Sequence, residues 1–475
     1  MSTQSIIDEL NKLNKISSQL DISEAERASL LNQTAEYTNN FISTLHTIKG
    51  YQEKTVGDLS INNQPSTLQN LLNLYQSEVA ESGINAASPK HLGYIPGGGI
   101  YTSALADFIA AVTNPFASAY FASPGAATME NEVINWIKNV FSFPENAVGC
   151  LSSGGSVSTL IAFTAARDQF KIKNEIVYKS VVYLSEQVHK ALRIIGLEDV
   201  IIRYLPLDDM FRIIPDELNL LIEKDKADGL NPFLIVATAG TTDTGTIDPL
   251  NSIADIASNH RLWFHVDAAY GGFFILTSKK KLFKGIERAD SLIVDPHKGL
   301  FLPYGVGAVL VKNSLSVLHS HYYTANYMQD GQNEELIQSP ANLSPELTKH
   351  FRGLRVWLPL KFHGIEPFIA CLEEKLFLVQ YFRIKLAERG FCLGPEPDLS
   401  VSYFWYPFTS DTDEKNKLLM EAIHKDGSVF LSSSMIDNHF VIRIAILAFR
   451  TKKETVDEAL AMIDRCLENM LSNSA

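Results

Sequence analysis

Two apolar stripes open the chain. Ile6, Leu10, Leu13 and Leu20 recur at helical spacing. After Ser23 and Glu26, which read as a capping box, Leu30, Tyr37, Phe41, Leu45 and Ile48 continue the pattern. Two helices are therefore expected over residues 1 to about 50, with apolar faces that need a partner surface. From about residue 130 to 315 the pattern changes. Short continuous apolar runs at 147–151, 181–184, 200–205, 232–239, 262–270, 291–295 and 307–311 alternate with helical ones. Continuous runs are what strands buried on both faces require, so a largely parallel sheet covered by helices is predicted. In such sheets ligands gather at strand ends, and the turn sequences SSGGS, AGTTDTG, DAAYGG and DPHKG each follow one of the runs.

Beyond about residue 345 a helical stretch leads into a smaller unit with candidate strands at 401–408, 428–433 and 439–447. The last two are expected to pair as a hairpin through Asp437 and Asn438. A closing helix is predicted with Thr451 and Glu454 as its capping box and Val456, Leu460, Ile463 and Leu467 on its buried face. The organisation expected is a helical N-terminal arm (1–86), a large domain (87–370) and a small α+β C-terminal domain (371–475).

Composition narrows the class. With 475 residues, 46% hydrophobic and 20% charged, the chain is ordinary globular material. Its net charge of −13 argues against nucleic acid or an anionic membrane as the main partner, because both are held by clustered Lys and Arg. The run Lys279–Lys281 reads as a solvated loop. Cysteines at 150, 371, 392 and 466 are too scattered for a disulfide framework or a zinc cluster, so no metal site is expected. The N-terminus lacks the features of a secretory signal and no apolar stretch reaches membrane-spanning length, so a cytoplasmic enzyme is expected.

Lys298, in SLIVDPHKG, sits just past a buried run. Desolvation favours the neutral amine, and a neutral amine attacks an aldehyde to form a Schiff base; a lysine snorkelling at a strand end is the alternative. Asp267 ends the apolar run LWFHVD, where an unpaired carboxylate is expensive. A protonated pyridine nitrogen would pair with it, whereas the plainer reading is a turn-capping aspartate. Ala269 is small enough to let a flat ring approach. Gly154, Gly155 and Ser156 begin a helix, whose free N–H groups suit a phosphate; the turn is neither a Walker A loop nor a GxGxxG fingerprint and is weak alone. His189, at a strand-to-helix junction, suits stacking on a flat cofactor or a structural role. Thr241 suits a cofactor oxygen or the closing of a turn.

Taken in order, SSGGS, His189, GTTDTG, HVDAAY and DPHK resemble the group II pyridoxal-phosphate decarboxylases, the aromatic amino acid and glutamate decarboxylase family. The resemblance runs from about Tyr94 in GYIPGGG through FRGLRVW to VIRIAIL. It implies the type I, aspartate aminotransferase-like fold and pyridoxal 5'-phosphate as cofactor. It implies Lys298 as the Schiff-base lysine, Asp267 as partner of the pyridine nitrogen, and Ala269 and His189 on the two faces of the ring. Gly155, Ser156 and His297 resemble phosphate contacts, Asp295 stands where many relatives carry Asn, and Thr241 is placed near the phenolic oxygen. The resemblance further implies decarboxylation of an L-amino acid to an amine and a homodimer with shared active sites.

Two departures qualify that picture. The family's mobile loop carries a tyrosine that protonates the α carbon; here Pro340 falls near that position, and Tyr327 is the candidate replacement. Poor reprotonation gives an aldehyde in some members, so oxidative deamination is the alternative, with another reaction on the same fold behind it. In SPKHLGYIPGGG, matching a substrate-side wall, Ser88 and His91 replace the histidine and aromatic residue of better-known aromatic decarboxylases. The three glycines suggest a roomy wall.

Overall fold

The computed structural model describes residues 2–61, 63–185, 188–323 and 338–473. Its centre is a seven-stranded sheet of β1 (Val148–Ser152), β2 (Ser180–Leu184), β3 (Ile201–Tyr204), β4 (Asn231–Thr238), β5 (Trp263–Asp267), β6 (Ser291–Val294) and β7 (Gly307–Val311). The spatial order is β1-β7-β6-β5-β4-β2-β3. Strands β3, β2, β4, β5 and β6 are mutually parallel, and β7 runs antiparallel between β6 and β1. The expected largely parallel sheet is thus present. Every residue of β1, β2, β6 and β7 is buried, which explains their unbroken apolar runs.

The sheet splits the core into two layers. Phe264 and Val266 of β5 pack with Val133 and Ile137 of helix α4, taken as Pro124–Val140 in a series in which α1 is Thr3–Ser17, α2 Glu24–Thr44 and α3 Tyr101–Thr113. Trp263 of β5 and Ile293 of β6 instead pack with Ile161 and Phe163 of α5 (Gly155–Gln169). Side chains alternate along a strand, so Asp267, two residues beyond His265, belongs to the α5 face. The Phe163 ring meets His265 edge-on at 5.1 Å, in keeping with that assignment.

A four-stranded antiparallel sheet, β8 (Cys392–Leu393), β9 (Val401–Trp405), β10 (Ser432–Ile436) and β11 (His439–Ala445), forms the C-terminal unit in the order β8-β9-β11-β10. Asp437 and Asn438, both at positive φ, make the expected two-residue turn between β10 and β11. The strand expected at 428–433 starts only at Ser432. Val429 and Leu431 sink into the small core, and Phe430 exchanges backbone hydrogen bonds with Lys90 and Leu92, 2.9 Å each. Val456, Leu460, Ile463 and Leu467 are buried in the closing helix Lys453–Asn473, as expected. Thr451, expected to cap it, donates its hydroxyl to the Pro89 carbonyl at 2.6 Å. The helix Glu366–Ala387 supplies Leu372 to the large core and Phe382 to the small one, so it runs unbroken past residue 371.

In the arm, the Ser23 capping box is formed and starts α2. No residue of α1 is buried, and Ile6, Leu10, Leu13 and Ile16 are exposed.

Candidate active site

The C-terminal ends of β1, β4, β5 and β6 lie on one edge of the sheet, because these strands share a direction. Lys298 sits there in a single helical turn, Pro296–Gly299, opened by a proline that fixes the first φ. Its Nζ lies 3.0 Å from Asp295 Oδ2. Asp295 is 1% exposed, and its Oδ1 has no hydrogen-bond partner among the described residues. On the neighbouring strand Asp267 Oδ1 accepts the Ala269 N–H at 2.9 Å. Burial raises the Asp267 pKa above the ordinary carboxylate value; the Ala269 N–H and Lys298 oppose this, and Asp295 adds to it. The carboxylate is ringed by protein yet the residue keeps a part-exposed edge. A cation placed against that edge would relieve the carboxylate.

His297 points its Nδ1 at the Val306 carbonyl, 2.6 Å away, which leaves Nε2 directed elsewhere, 3.7 Å from Asp295 Oδ2. Burial holds its pKa below the ordinary histidine value. Gly154 precedes α5 at φ 148 with no side-chain cap, and the Gly155 and Ser156 N–H groups have no helical acceptor, the Val157 N–H being taken by the Gly154 carbonyl. At Gly155 a methyl group would come within 3.2 Å of Asp295 Oδ2 and 3.3 Å of Ala269 Cβ. The absent side chain is what lets the helix start approach both. Ser156 is exposed beside it.

The structure thus brings together Lys298, Asp267, Ala269, Asp295, His297 and Gly155. Thr241 uses its hydroxyl within its own loop: Oγ1 lies 2.6 Å from Thr244 Oγ1 and accepts the Thr246 N–H at 3.0 Å, the turn-closing arrangement. His189 begins a short helix, His189–Ile194, with its ring exposed and Nε2 2.9 Å from the Tyr204 hydroxyl. Its hydrogen-bonding partner is therefore on β3 and not in the Lys298 group. Tyr327 lies outside the described residues. Pro340 is buried at the start of the turn Pro340–Leu343.

Of the substrate-side wall, Ser88 is buried with its hydroxyl donating to Leu45 O at 3.3 Å. His91 is buried against Tyr94 and Phe430, and burial pushes its pKa down to about 4. Of the glycines there, Gly97 serves close approach, while Gly98 and Gly99 line a cavity with Ala87 and Tyr304. A Cβ at Gly97 would lie 2.0 Å from His297 O, and Gly98, at φ +92, would meet the Phe449 ring at 3.1 Å.

Sequence reasoning missed three contributors. Tyr304 meets the His297 ring edge-on at 5.8 Å, and burial raises its phenol pKa while Lys298 lowers it. Asp248 ties the Thr241 loop to β4 by accepting the Thr238 N–H at 2.7 Å and the Ile213 N–H at 2.9 Å; burial pushes its pKa up to about 6. Arg443 reaches the same loop at the Thr242 carbonyl. Only the aspartate left a trace, as the charged residue of the TIDPL run.

A lysine and a buried carboxylate at neighbouring strand ends, a small alanine between them and a helix start with free N–H groups suit a flat, phosphorylated, cationic heterocycle. On this fold such a site defines the class of pyridoxal-phosphate enzymes. Residues 51–406 match the family model described as the pyridoxal-dependent decarboxylase conserved domain. The chain belongs to that family, and it is a pyridoxal-phosphate-dependent amino acid decarboxylase. It is 32% identical over 425 residues to an aromatic-L-amino-acid decarboxylase of Bacillus atrophaeus, covering 86% of this chain and 88% of the relative. It is 26% identical over 435 residues to a phenylacetaldehyde synthase of Arabidopsis thaliana, covering 87% and 89%. The solved Catharanthus roseus tryptophan decarboxylase, in complex with L-tryptophan, superposes with a TM-score of 0.86 at 22% identity, covering 94% of this chain and 99% of that one. Among the described residues no helix is long and apolar enough to cross a membrane.

Proposed function

We propose that the enzyme decarboxylates an aromatic L-amino acid to its amine. The carrying observation is the lack of cations in the loop before Lys349 and the commitment of the arginines that follow it. From Tyr322 to Thr348 the chain has no lysine or arginine and carries Asp330, Glu334, Glu335 and Glu346. Beyond that stretch Arg352 is paired with Glu346 and Arg355 with Asp107, while Arg443 and Arg450 are held by main-chain carbonyls. A substrate with an acidic side chain needs a counter-charge to enter a dry cleft. The likeness to the Bacillus aromatic-L-amino-acid decarboxylase supports the same reading.

Bound pyridoxal 5'-phosphate supplies a ring that takes up the electron pair of the bond broken at the substrate's α carbon. The protein's groups prepare that step. Lys298 would hold the cofactor through Nζ, where the substrate's amino group must take its place. Asp267 keeps a proton on the ring nitrogen, in line with a carboxylate that burial leaves short of positive charge. The N–H groups of Gly155 and Ser156, with His297, receive the phosphate, and Asp295 orients Lys298. Ala269 would admit the ring on one face. His189 would cover the other on leaving Tyr204, and Thr241 would shape the loop beside the phenolic oxygen. Tyr327 would return the proton to the α carbon.

The arm of residues 1–86 would bury its exposed Ile6, Leu10 and Leu13 stripe on a second copy, giving a cytoplasmic homodimer of three-part subunits with the boundaries given above. A second reading, an aldehyde product, draws on Pro340 at the family's tyrosine position and on the likeness to a phenylacetaldehyde synthase. One experiment separates them: the cofactor-loaded protein is given pooled L-amino acids, and products are identified by mass. An amine from phenylalanine, tyrosine or tryptophan, with carbon dioxide, is expected. Turnover of glutamate or aspartate alone would overturn the aromatic reading, and peroxide equal to carbon dioxide would establish the aldehyde.

A further inference from the structure

Two arginines carry the C-terminal unit into the active site. Arg443, on β11, is 4% exposed. Its Nη1 donates to Ser432 Oγ at 2.9 Å, and its Nη2 donates to the Tyr94 carbonyl at 3.2 Å and to the Thr242 carbonyl. Arg450, between β11 and the closing helix, donates from Nη1 to the Gly98 carbonyl at 2.7 Å and the Ala87 carbonyl at 3.2 Å. Its guanidinium lies 4.3 Å from the Phe449 ring centroid, and that ring abuts Gly98. Neither forms an ion pair with a carboxylate of the described residues. Burial lowers the pKa of both.

A buried cation without a counter-ion is costly unless its donors are used. Here Arg450 gives Nη1 to the Ala87 and Gly98 carbonyls, and Arg443 reaches the same segment, residues 87–99, at the Tyr94 carbonyl while tying it to Thr242 and Ser432. That segment lies directly on the lysine turn: Gly97 leaves no space for a Cβ before His297 O, and the Ile100 N–H donates to Phe301 O at 2.8 Å. A planar fork can bridge separate carbonyls at fixed angles, whereas an ammonium is a single point of attachment.

We propose that Arg443 and Arg450 are positioning residues that set the substrate-side wall from Ala87 to Gly99, so that substrate affinity is governed from the C-terminal unit. The proposal rests on the reading of that segment as the wall of the substrate pocket. The wall has other anchors, Ala445 N–H to Leu92 O at 2.7 Å and Thr451 Oγ1 to Pro89 O at 2.6 Å, so loss of either fork shifts the wall without releasing it.

The test uses the holoenzyme carrying Arg450→Lys, Arg443→Lys or both, with Arg465→Lys at an exposed ion pair as control. The substrate is whichever L-amino acid the unaltered enzyme decarboxylates, so a non-aromatic substrate would refute the aromatic reading and leave this test intact. For Arg450→Lys, KM is expected to rise about tenfold, with kcat within about twofold and the cofactor's visible absorbance unchanged. For Arg443→Lys, which also frees Thr242, KM rises and cofactor affinity falls. An unchanged KM in both folded variants overturns the proposal, as does a parallel decline of kcat, KM and melting temperature. Should a lysine variant not fold, Gly98→Ala decides: its methyl meets the Phe449 ring and moves the Gly98 carbonyl with both arginines in place, and an unchanged KM there is equally fatal.

Discussion

Lys298 Nζ lies 3.0 Å from Oδ2 of Asp295, a carboxylate whose other oxygen has no hydrogen-bond partner among the described residues. The lysine is thus aimed into the strand-end cleft by a buried group three residues before it, on the same turn. Lys298→Ala is expected to lower the decarboxylation rate by about 10³-fold or more and to leave no cofactor attached after borohydride reduction and intact-mass measurement. Retained covalent cofactor in that variant would falsify the assignment.

Asp267 gives a two-sided expectation. Its folded-state pKa is raised, so the folded chain binds more protons than the unfolded one between the ordinary aspartate value and the raised value. Without cofactor, stability therefore falls as pH rises through that window and stays lowered above it. Asp267→Asn removes the buried charge. The cofactor-free variant should melt no lower than the unaltered chain at neutral pH, while its cofactor affinity drops about tenfold or more. Calorimetry of both forms checks this, and a lower melting point in the cofactor-free variant contradicts it.

His91 and His265 predict an acid limb. Burial lowers their pKa values to about 4 and about 3, from 6.5. Below pH 6.5 the unfolded chain takes up protons that the folded chain refuses, so stability present above 6.5 is lost as pH falls toward those values. Each histidine contributes about 1.4 kcal/mol per pH unit in that window. Denaturant titrations from pH 7 to 4.5 should show the slope, and His265→Gln should flatten it, His297 and His321 adding to the remainder. A slope unchanged in that variant would mean other groups govern the limb.

Gly97→Ala tests the close approach of the wall to the lysine turn. A methyl there would sit 2.0 Å from His297 O, so backbone must move on one side or the other. We expect about 1–3 kcal/mol of destabilisation together with weaker cofactor retention, read by urea unfolding and by dialysis of the loaded enzyme. Unaltered stability and retention would show that the two segments are not in contact.

Much of this was legible in the chain. The apolar runs at 181–184, 291–295 and 307–311 needed two covered faces, and only a sheet sandwiched by helices provides them. Parallel strands then put DAAYGG and DPHKG on one edge, and the family resemblance implied that Asp267 and Lys298 serve one cofactor; the pairing of their strands came from the fold. The turn Asp437–Asn438 was equally plain, since positive φ at two successive residues suits few others.

What tertiary structure decided has no sequence period to betray it. Arg443 and Arg450 are separated by hundreds of residues from the carbonyls they hold, and a carbonyl is the same at every position. Gly97 to Gly99 read as open space in one dimension, yet the fold presses Gly97 onto His297, because an absent side chain permits contact as readily as it leaves a gap. Local pattern fixes which elements form and which way they point; long-range packing alone fixes what each loop carbonyl, ring and orphaned oxygen finally faces.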